Sequence, residues 1–255
     1  MSLKNKGFIV TGAGSGLGAA VAAHVAEAGA NVLLLDLNGE AAEKQAAALG
    51  ARAHALAVDV ASEADGARAI ATAKERLGRI DALVNCAGIA PGKKILGRDG
   101  AHDLGLFARA VNVNLVGTFN MLRLAAEAMA AQAPDARGDR GVIVNTASVA
   151  AYEGQIGQAA YAASKGGVVA LTLPAARELA RHNIRVVTIA PGIFATPMMA
   201  GMPQEVQDAL GASVPHPSRL GDPAEYAALV QHIFENQMLN GEVIRLDGAL
   251  RMAAS

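Results

Sequence analysis

Short, unbroken runs of hydrophobic residues recur along the chain, each closed by glycine or a polar residue and followed by a longer stretch with helical spacing. The runs predict strands near 7–11, 31–36, 53–58, 80–85, 141–146, 184–190 and 242–246. The stretches between them predict helices near 16–28, 39–49, 62–77, 103–131, 159–181, 203–210 and 222–235. A strand that is apolar at every position is buried on both faces, so the alternation predicts one doubly wound α/β domain over residues 1–255. Its parallel sheet has about seven strands, with helices on both faces. The irregular segments, 87–102 and 191–221, follow strands, where ligands bind in such sheets.

Composition adds the size of the side chains. The chain is 52% hydrophobic but only 3% aromatic, so alanine, valine, leucine and isoleucine must fill the core and helices can approach the sheet closely. A formal net charge of −1, without a long basic run, argues against nucleic acid or a membrane surface as partner. Apolar stretches are interrupted well short of a membrane span, and MSLKNKGF leads directly into the first strand, so the expectation is a cytoplasmic protein with no leader. One cysteine, Cys86, excludes an internal disulfide or a cysteine-based metal site. The six histidines lack ligand spacing, so no metal is expected; His24, His182 and His232 are expected at the surface.

The first strand runs into Gly12-Ala13-Gly14-Ser15-Gly16-Leu17-Gly18 and then a helix. Strand, glycine turn and helix N-terminus together form a cradle for a pyrophosphate, the mark of a Rossmann-type fold. Gly12 permits the tight turn, Gly16 the approach of backbone to phosphate, and Gly18 the packing of helix on strand; Ser15 and Leu17 belong to the same turn. Asp36 ends the second strand, where a carboxylate accepts from the adenosine ribose hydroxyls and repels a 2′-phosphate. With no arginine or lysine at Ser15 or Leu37, the cofactor reads as NAD.

Tyr161 and Lys165 are four residues apart and so share one helix face. Ser148 lies thirteen residues earlier, just past an apolar strand. A phenol with an ordinary pKa of about 10 serves as a base near neutrality only if shifted by roughly 2 to 3 units, and an adjacent ammonium is expected to supply that shift. The chemistry so indicated is proton transfer at a substrate hydroxyl. Asn114 falls inside a long predicted helix, where an amide needs a reason, and a satisfied buried amide is one.

Together these residues resemble the short-chain dehydrogenase/reductase family over the full chain. The matches are Thr11-Gly12-x-x-x-Gly16-x-Gly18, Asp59, Asn85-Cys86-Ala87-Gly88, Asn112-Val113-Asn114-Leu115, Ser148, Tyr161-x-x-x-Lys165, and Pro191-Gly192 followed by Thr196. Cys86 departs from the family's usual second asparagine and has no base in view to activate it. The resemblance implies Asn114, Ser148, Tyr161 and Lys165 as the catalytic set, with a water linking Asn114 to the lysine. It implies Asp59 and Val60 beside the adenine, Cys86, Ala87 and Gly88 along the cofactor, Ile193, Phe194 and Thr196 at the carboxamide, and Lys165 on the nicotinamide ribose.

The segments 145–155, 217–226 and 240–249 are similar to the type-2 3-hydroxyacyl-CoA dehydrogenase branch, also described as acting on hydroxysteroids. That similarity implies oxidation of a 3-hydroxyacyl-CoA in fatty-acid metabolism by a homotetramer. A 3-oxoacyl carrier-protein reductase, a general or hydroxysteroid alcohol dehydrogenase, and a non-catalytic NAD-binding scaffold remain as alternatives. Gln155 and Gln158 are expected to border a small-molecule substrate, and residues 191–221 to form its loop. Lys93, Lys94 and Arg98 either meet CoA phosphates or are simply solvated. Met198 to Met202 either cover an acyl chain or fill core.

Overall fold

The computed structural model describes residues 3–98 and 100–254, apart from the side chain of Met198. The chain opens with strand β1 (Gly7–Thr11), helix α1 (Gly16–Glu27), β2 (Asn31–Asp36), α2 (Gly39–Leu49), β3 (Ala53–Ala57), α3 (Glu63–Leu77) and β4 (Ala82–Asn85). A two-residue hairpin, β5 (Leu96–Gly97) and β6 (Gly100–Ala101), follows. Then come α4 (Leu104–Val111), a π-helical stretch Asn112–Val116, α5 (Gly117–Ala131) and β7 (Gly141–Thr146). A 3-10 turn (Val149–Ala151), α6 (Ala159–Leu179), β8 (Ile184–Pro191), α7 (Pro197–Ala200), α8 (Gln204–Ala212), α9 (Pro223–Glu235) and β9 (Val243–Leu246) complete it.

Seven strands form one parallel sheet in the order β3-β2-β1-β4-β7-β8-β9. The order reverses between β1 and β4, whose last residues Thr11 and Asn85 are register partners. A crevice opens there at the carboxyl edge, because the connections leave the two strands in opposite directions. Successive residues of one strand serve opposite layers: Phe8 and Val10 join the core beneath α1 and α9, while Ile9 joins that beneath α3, α5 and α6. Each such residue is fully buried and contributes roughly 1.5–3 kcal/mol, so the central strands tolerate no polar position until their ends. No helix among the described residues is long and apolar enough to cross a membrane.

The expected helix 103–131 is three pieces. The π stretch Asn112–Val116 interrupts it, with the N–H of Gly117 reaching back to Asn112 O. An extra residue in the turn widens the helix locally, a feature hydrophobic spacing cannot register. The expected loop 191–221 contains α7 and α8. His24 was expected at the surface; instead it lies partly buried between α1 and α9, with Nε2 2.6 Å from Gln231 Oε1.

The amino edge of the sheet is closed by ion pairs. Asp81 is 3% exposed and accepts from Gly7 N–H (2.9 Å), Arg79 Nε (2.7 Å) and Lys6 Nζ (3.3 Å). Lys6 also reaches Asp135 at 3.4 Å. Arg185 donates to the carbonyls of Ile233 (2.9 Å) and Leu239 (2.8 Å), tying β8 to the end of α9.

Candidate active site

Four helix starts are capped by side chains: Asn38 on α2, Ser62 on α3, Asp103 on α4 and Asp222 on α9. Helix α1, like α6, α7 and α8, has no such cap. Its N-terminal residue, Ser15, makes no side-chain cap, and its first turn has no acidic residue. The N–H groups and the positive end of that helix are therefore directed at the crevice, as an anion requires. Gly12 (φ 65°) and Gly16 (φ 55°) adopt the left-handed backbone that turns the chain there. A side chain at Gly18 would collide with the Gly12 carbonyl, so the helix is seated hard against the turn. Thr196, from the far side of the crevice, stands beside Gly16: its methyl is 3.5 Å from where a Cβ there would be.

Asp36 is fixed by two backbone donors, Gly14 N–H to Oδ2 and Asn38 N–H to Oδ1, both 2.9 Å. Asp59 is exposed and turns its Oδ1 to Ala61 N–H, while Val60 is buried against Gly117. Thr11 Oγ1 accepts from both Cys86 N–H and Ala87 N–H at 3.1 Å, locking the turn after β4 to the end of β1. Gly88 follows; a Cβ there would meet Asn114 Oδ1 at 3.1 Å and Lys165 Nζ at 3.4 Å. Phe194 is buried, edge-on to Tyr226, so only its backbone faces ligand space; Ala195 N–H and Gly221 N–H pair the segment with 221 and 193.

Ser148, Tyr161 and Lys165 meet at the carboxyl ends of β4 and β7. Ser148, 7% exposed, heads the 3-10 turn and accepts from Ala150 N–H at 3.1 Å. Lys165 is 4% exposed; among the described residues its hydrogen-bond acceptor is the carbonyl of Thr146, at 2.7 Å. Burial pulls this ammonium down to about 8, against a slight opposing influence from the Cys86 sulfur. Its Nζ lies over the Tyr161 ring, 5.9 Å from the centroid. Burial pushes the Tyr161 phenol up, and the Ser148 hydroxyl pulls it back. A phenol already acidified by its lysine, the expectation from spacing alone, is therefore not found: the low-polarity pocket disfavours phenolate and ammonium alike.

Asn114 sits at the centre of the π stretch and is fully buried. Its amide pairs reciprocally with the backbone of Ile89, accepting from N–H (2.8 Å) and donating to C=O (2.9 Å). It also donates to Ser164 Oγ at 2.9 Å, and Ser164 in turn donates to Tyr161 O at 2.7 Å. The amide thus joins the turn after β4 to the helix carrying Tyr161. Gln155 and Gln158 bond to each other, Gln155 N–H to Gln158 Oε1 at 3.0 Å and Nε2 to Oε1 at 3.4 Å. Lys93, Lys94 and Arg98 are exposed beside exposed Ile95 and Leu96. Met199 is partly buried and Met202 exposed, against core filling; the Met198 side chain lies outside the described residues.

Sequence reasoning gave no role of their own to Thr11 and Thr146, which end apolar strands, or to Ser164 and Tyr226, which lie on helices. The Thr146 hydroxyl has one proton, given to Asn85 O at 2.6 Å, so it accepts from Tyr226 OH at 2.7 Å. Cys86 Sγ lies 3.9 Å from that phenol, and burial pushes its thiol up, away from the reactive thiolate. The available signal was hydroxyl residues ending apolar strands. The described residues contain no group of three or more His, Cys, Asp or Glu able to hold a metal.

Comparison with known proteins finds relatives along nearly the whole chain. A family model described as short chain dehydrogenase matches residues 6–207. The 3-hydroxyacyl-CoA dehydrogenase type-2 of Bos taurus is 55% identical over 253 residues, covering 98% of this chain and 97% of the relative. The crystal structure of 3-hydroxyacyl-CoA dehydrogenase type-2 from Mycobacterium avium superposes with a TM-score of 0.94 at 42% identity, covering 98% of both chains. A 3-ketoacyl-(acyl-carrier-protein) reductase from Brucella melitensis, complexed with NADH, superposes with a TM-score of 0.88 at 31% identity, covering 98% of this chain and 100% of that one.

Proposed function

The chain belongs to the short-chain dehydrogenase family and is an oxidoreductase, and from that premise we propose that it interconverts 3-hydroxyacyl-CoA and 3-oxoacyl-CoA with NAD. The observation that carries the reading is the buried Lys165 ammonium with one backbone acceptor, set beside Tyr161 and Ser148 at the sheet's switch point. A buried charge so sparsely partnered is suited to hydroxyl groups arriving with a ligand.

A nicotinamide dinucleotide fits the residues present. The uncapped start of α1 and the left-handed glycines suit a pyrophosphate, and the free lone pairs of Asp36 suit a ribose diol while opposing a 2′-phosphate. Asp59 and Val60 would flank the adenine, Cys86, Ala87 and Gly88 the dinucleotide's edge, and the 193–196 backbone with Thr196 the carboxamide. A bound dinucleotide would supply the hydride acceptor, the hydride coming from the substrate's carbinol carbon as its C–H bond breaks and the C=O bond forms, and its oxidised ring would bring positive charge to the site.

Ser148 donates to the substrate oxygen and fixes its position. Tyr161 takes the hydroxyl proton from that oxygen. Lys165 holds ribose hydroxyls and favours the phenolate once the site is filled, offsetting the upward push of burial. Asn114 holds the turn after β4 and the start of α6 at a fixed separation, and a water would link it to Lys165 as a proton relay. Gln155 and Gln158 border the acyl portion, 191–221 closes over it, and Lys93, Lys94 and Arg98 attract CoA phosphates. The small residues of α5 and α6 and exposed Val116, Phe119 and Leu173 support assembly as a homotetramer.

A panel of 3-hydroxyacyl-CoA chain lengths, hydroxysteroids and simple secondary alcohols, each with NAD and NADP, and of 3-oxoacyl-CoA and 3-oxoacyl carrier-protein thioesters, each with NADH and NADPH, tests the reading by kcat/KM. The expected result is preference for a CoA thioester with NAD. Turnover of carrier-protein thioesters with NADPH alone would establish the reductase instead, and no turnover of any alcohol would leave the scaffold.

A further inference from the structure

The loop between Ser148 and Tyr161 is turned by its own short-range hydrogen bonds and by Lys93 N–H on Gly157 O, and its long-range side-chain ties run to residues 245–254. Glu153 is gripped by both guanidinium nitrogens of Arg245 on β9, at 2.8 and 3.0 Å, and accepts from Met252 N–H at 3.2 Å. Arg251 Nε stands 3.4 Å from the same carboxylate. Ile156 N–H donates to Ala254 O at 2.9 Å, and Arg245 lies over the exposed Tyr152 ring at 5.3 Å. Asp247 takes Arg245 Nε at 2.6 Å and Arg251 Nη1 at 3.2 Å, so two carboxylates balance two guanidiniums and no ligand is needed for neutrality.

The same terminal segment is also built into the other substrate-side loop. A side chain at Gly192 would run into Asp247, and one at Gly248 into Val214 and the carbonyl of His216. His216 N–H donates to Gly248 O at 3.2 Å, and Gly192 N–H to Leu246 O at 2.9 Å. Residues 245–254 therefore touch both ends of the 191–221 segment and the 152–157 loop at once. The glycine turn, Asp36 and the start of α1 are anchored elsewhere, by Gly12, Gly14 and Asn38.

We propose that the C-terminal segment 245–254 positions the substrate half of the site, with the Glu153–Arg245 pair as its lock: it holds the 152–157 loop and the 191–221 segment at the separation the acyl group requires. Glu153 is a positioning residue, acting through the loop that carries Gln155 and leads to Tyr161. The inference rests on the functional reading above for which substrate is used, and on geometry alone for what the tail holds.

The test compares the full chain with Glu153→Gln, Glu153→Asp and a chain ending at Arg251. The shortened chain removes the Met252 and Ala254 contacts without leaving a buried charge unpaired. Expected are faster amide exchange across 152–158 and a fall of about tenfold to a hundredfold in kcat/KM for a 3-hydroxyacyl-CoA, since small misplacements near reacting atoms are costly. The Kd for ADP-ribose, which lacks the nicotinamide that residues 193–196 would hold, should be unchanged in calorimetric titration, and Glu153→Asp should recover part of the loss. Unchanged exchange and unchanged kcat/KM would overturn the proposal, as would a parallel loss of ADP-ribose affinity, which marks general loosening. If the full chain oxidises no 3-hydroxyacyl-CoA, the functional reading fails instead; the exchange comparison needs no substrate and still decides whether the tail holds the loop.

Discussion

The two edges of the sheet both bury charge, and they differ in how many partners the chain supplies, although burial lowers Arg185 at the amino edge too and leaves Arg79 Nη2 and Arg185 Nε without a hydrogen bond among the described residues. At the amino edge Asp81 has three donors, Lys6 two carboxylates, and Arg185 a ring of carbonyls. Burial alone would raise Asp135, but backbone donors from Arg137 and Asp139 and the charge of Lys6 hold it below the usual carboxylate range. At the carboxyl edge Lys165 is as deeply buried, yet has one carbonyl, and burial wins, pulling it to about 8. Charges already matched by the protein close a structure. A charge left underfilled next to uncapped N–H groups is a place for something else to bind.

The largest expected effect separates chemistry from binding at the carboxyl edge. Tyr161→Phe should lower kcat by about 10²–10⁴, the usual worth of a general base, with NAD affinity nearly unchanged in a fluorescence titration. A variant retaining wild-type turnover would remove the phenol from the reaction.

At the other edge, Asp81→Asn should cost about 1.5–3 kcal/mol of stability in urea denaturation, because Arg79 and Lys6 lose a charged acceptor while Lys6 keeps Asp135. In the surviving folded fraction kcat/KM should match wild type; a comparable loss of activity would erase the contrast between the edges.

Asp36→Ala should weaken discrimination rather than catalysis. Losing hydrogen bonds to a charged acceptor is worth about 1.5–3 kcal/mol, so kcat/KM with NAD should drop roughly tenfold to a hundredfold while that with NADP holds or rises. Parallel losses with both cofactors would count against the ribose contact.

The smallest effect concerns Lys165→Met. The native ammonium titrates near 8 and the unfolded one near 10.5, so between those values the unfolded chain holds more protons and stability rises with pH. The neutral amine's share is complete above about 10.5 and is lost as pH falls through about 8. The variant, inactive as an enzyme, should therefore melt higher than wild type at pH 7, by about 2–4 °C for each 1 kcal/mol relieved, and the gap should close in alkali. A lower melting point at pH 7 would mean that the bond to Thr146 outweighs the burial of charge.

Much of this arrangement was legible in the residue order. Apolar runs between amphipathic stretches gave seven strands and the parallel sheet, because a strand buried on both faces must be apolar throughout. The glycine turn was readable because only glycine takes the backbone at Gly12 and Gly16 without strain. The interruption at Asn114 was not, since a π turn shifts hydrogen bonds without changing which residues are apolar. Nor was the pairing of Gln155 with Gln158, or the burial of His24 against Gln231, both of which depend on where a neighbouring element comes to rest.

Residue order alone determined the local placement of the side chains proposed for the chemistry: a tyrosine and a lysine one helical turn apart, a serine closing a strand, an acid at the end of β2. Those facts are local, fixed by periodicity and by backbone preferences that neighbours in the chain impose. The tertiary structure decided their state. It buried Lys165 and Tyr161 together, so that both charged forms are disfavoured until a ligand arrives, and it brought residues 245–254 onto the Ser148–Tyr161 loop. Desolvation and long-range ion pairing depend on distances through space, which residue spacing does not specify.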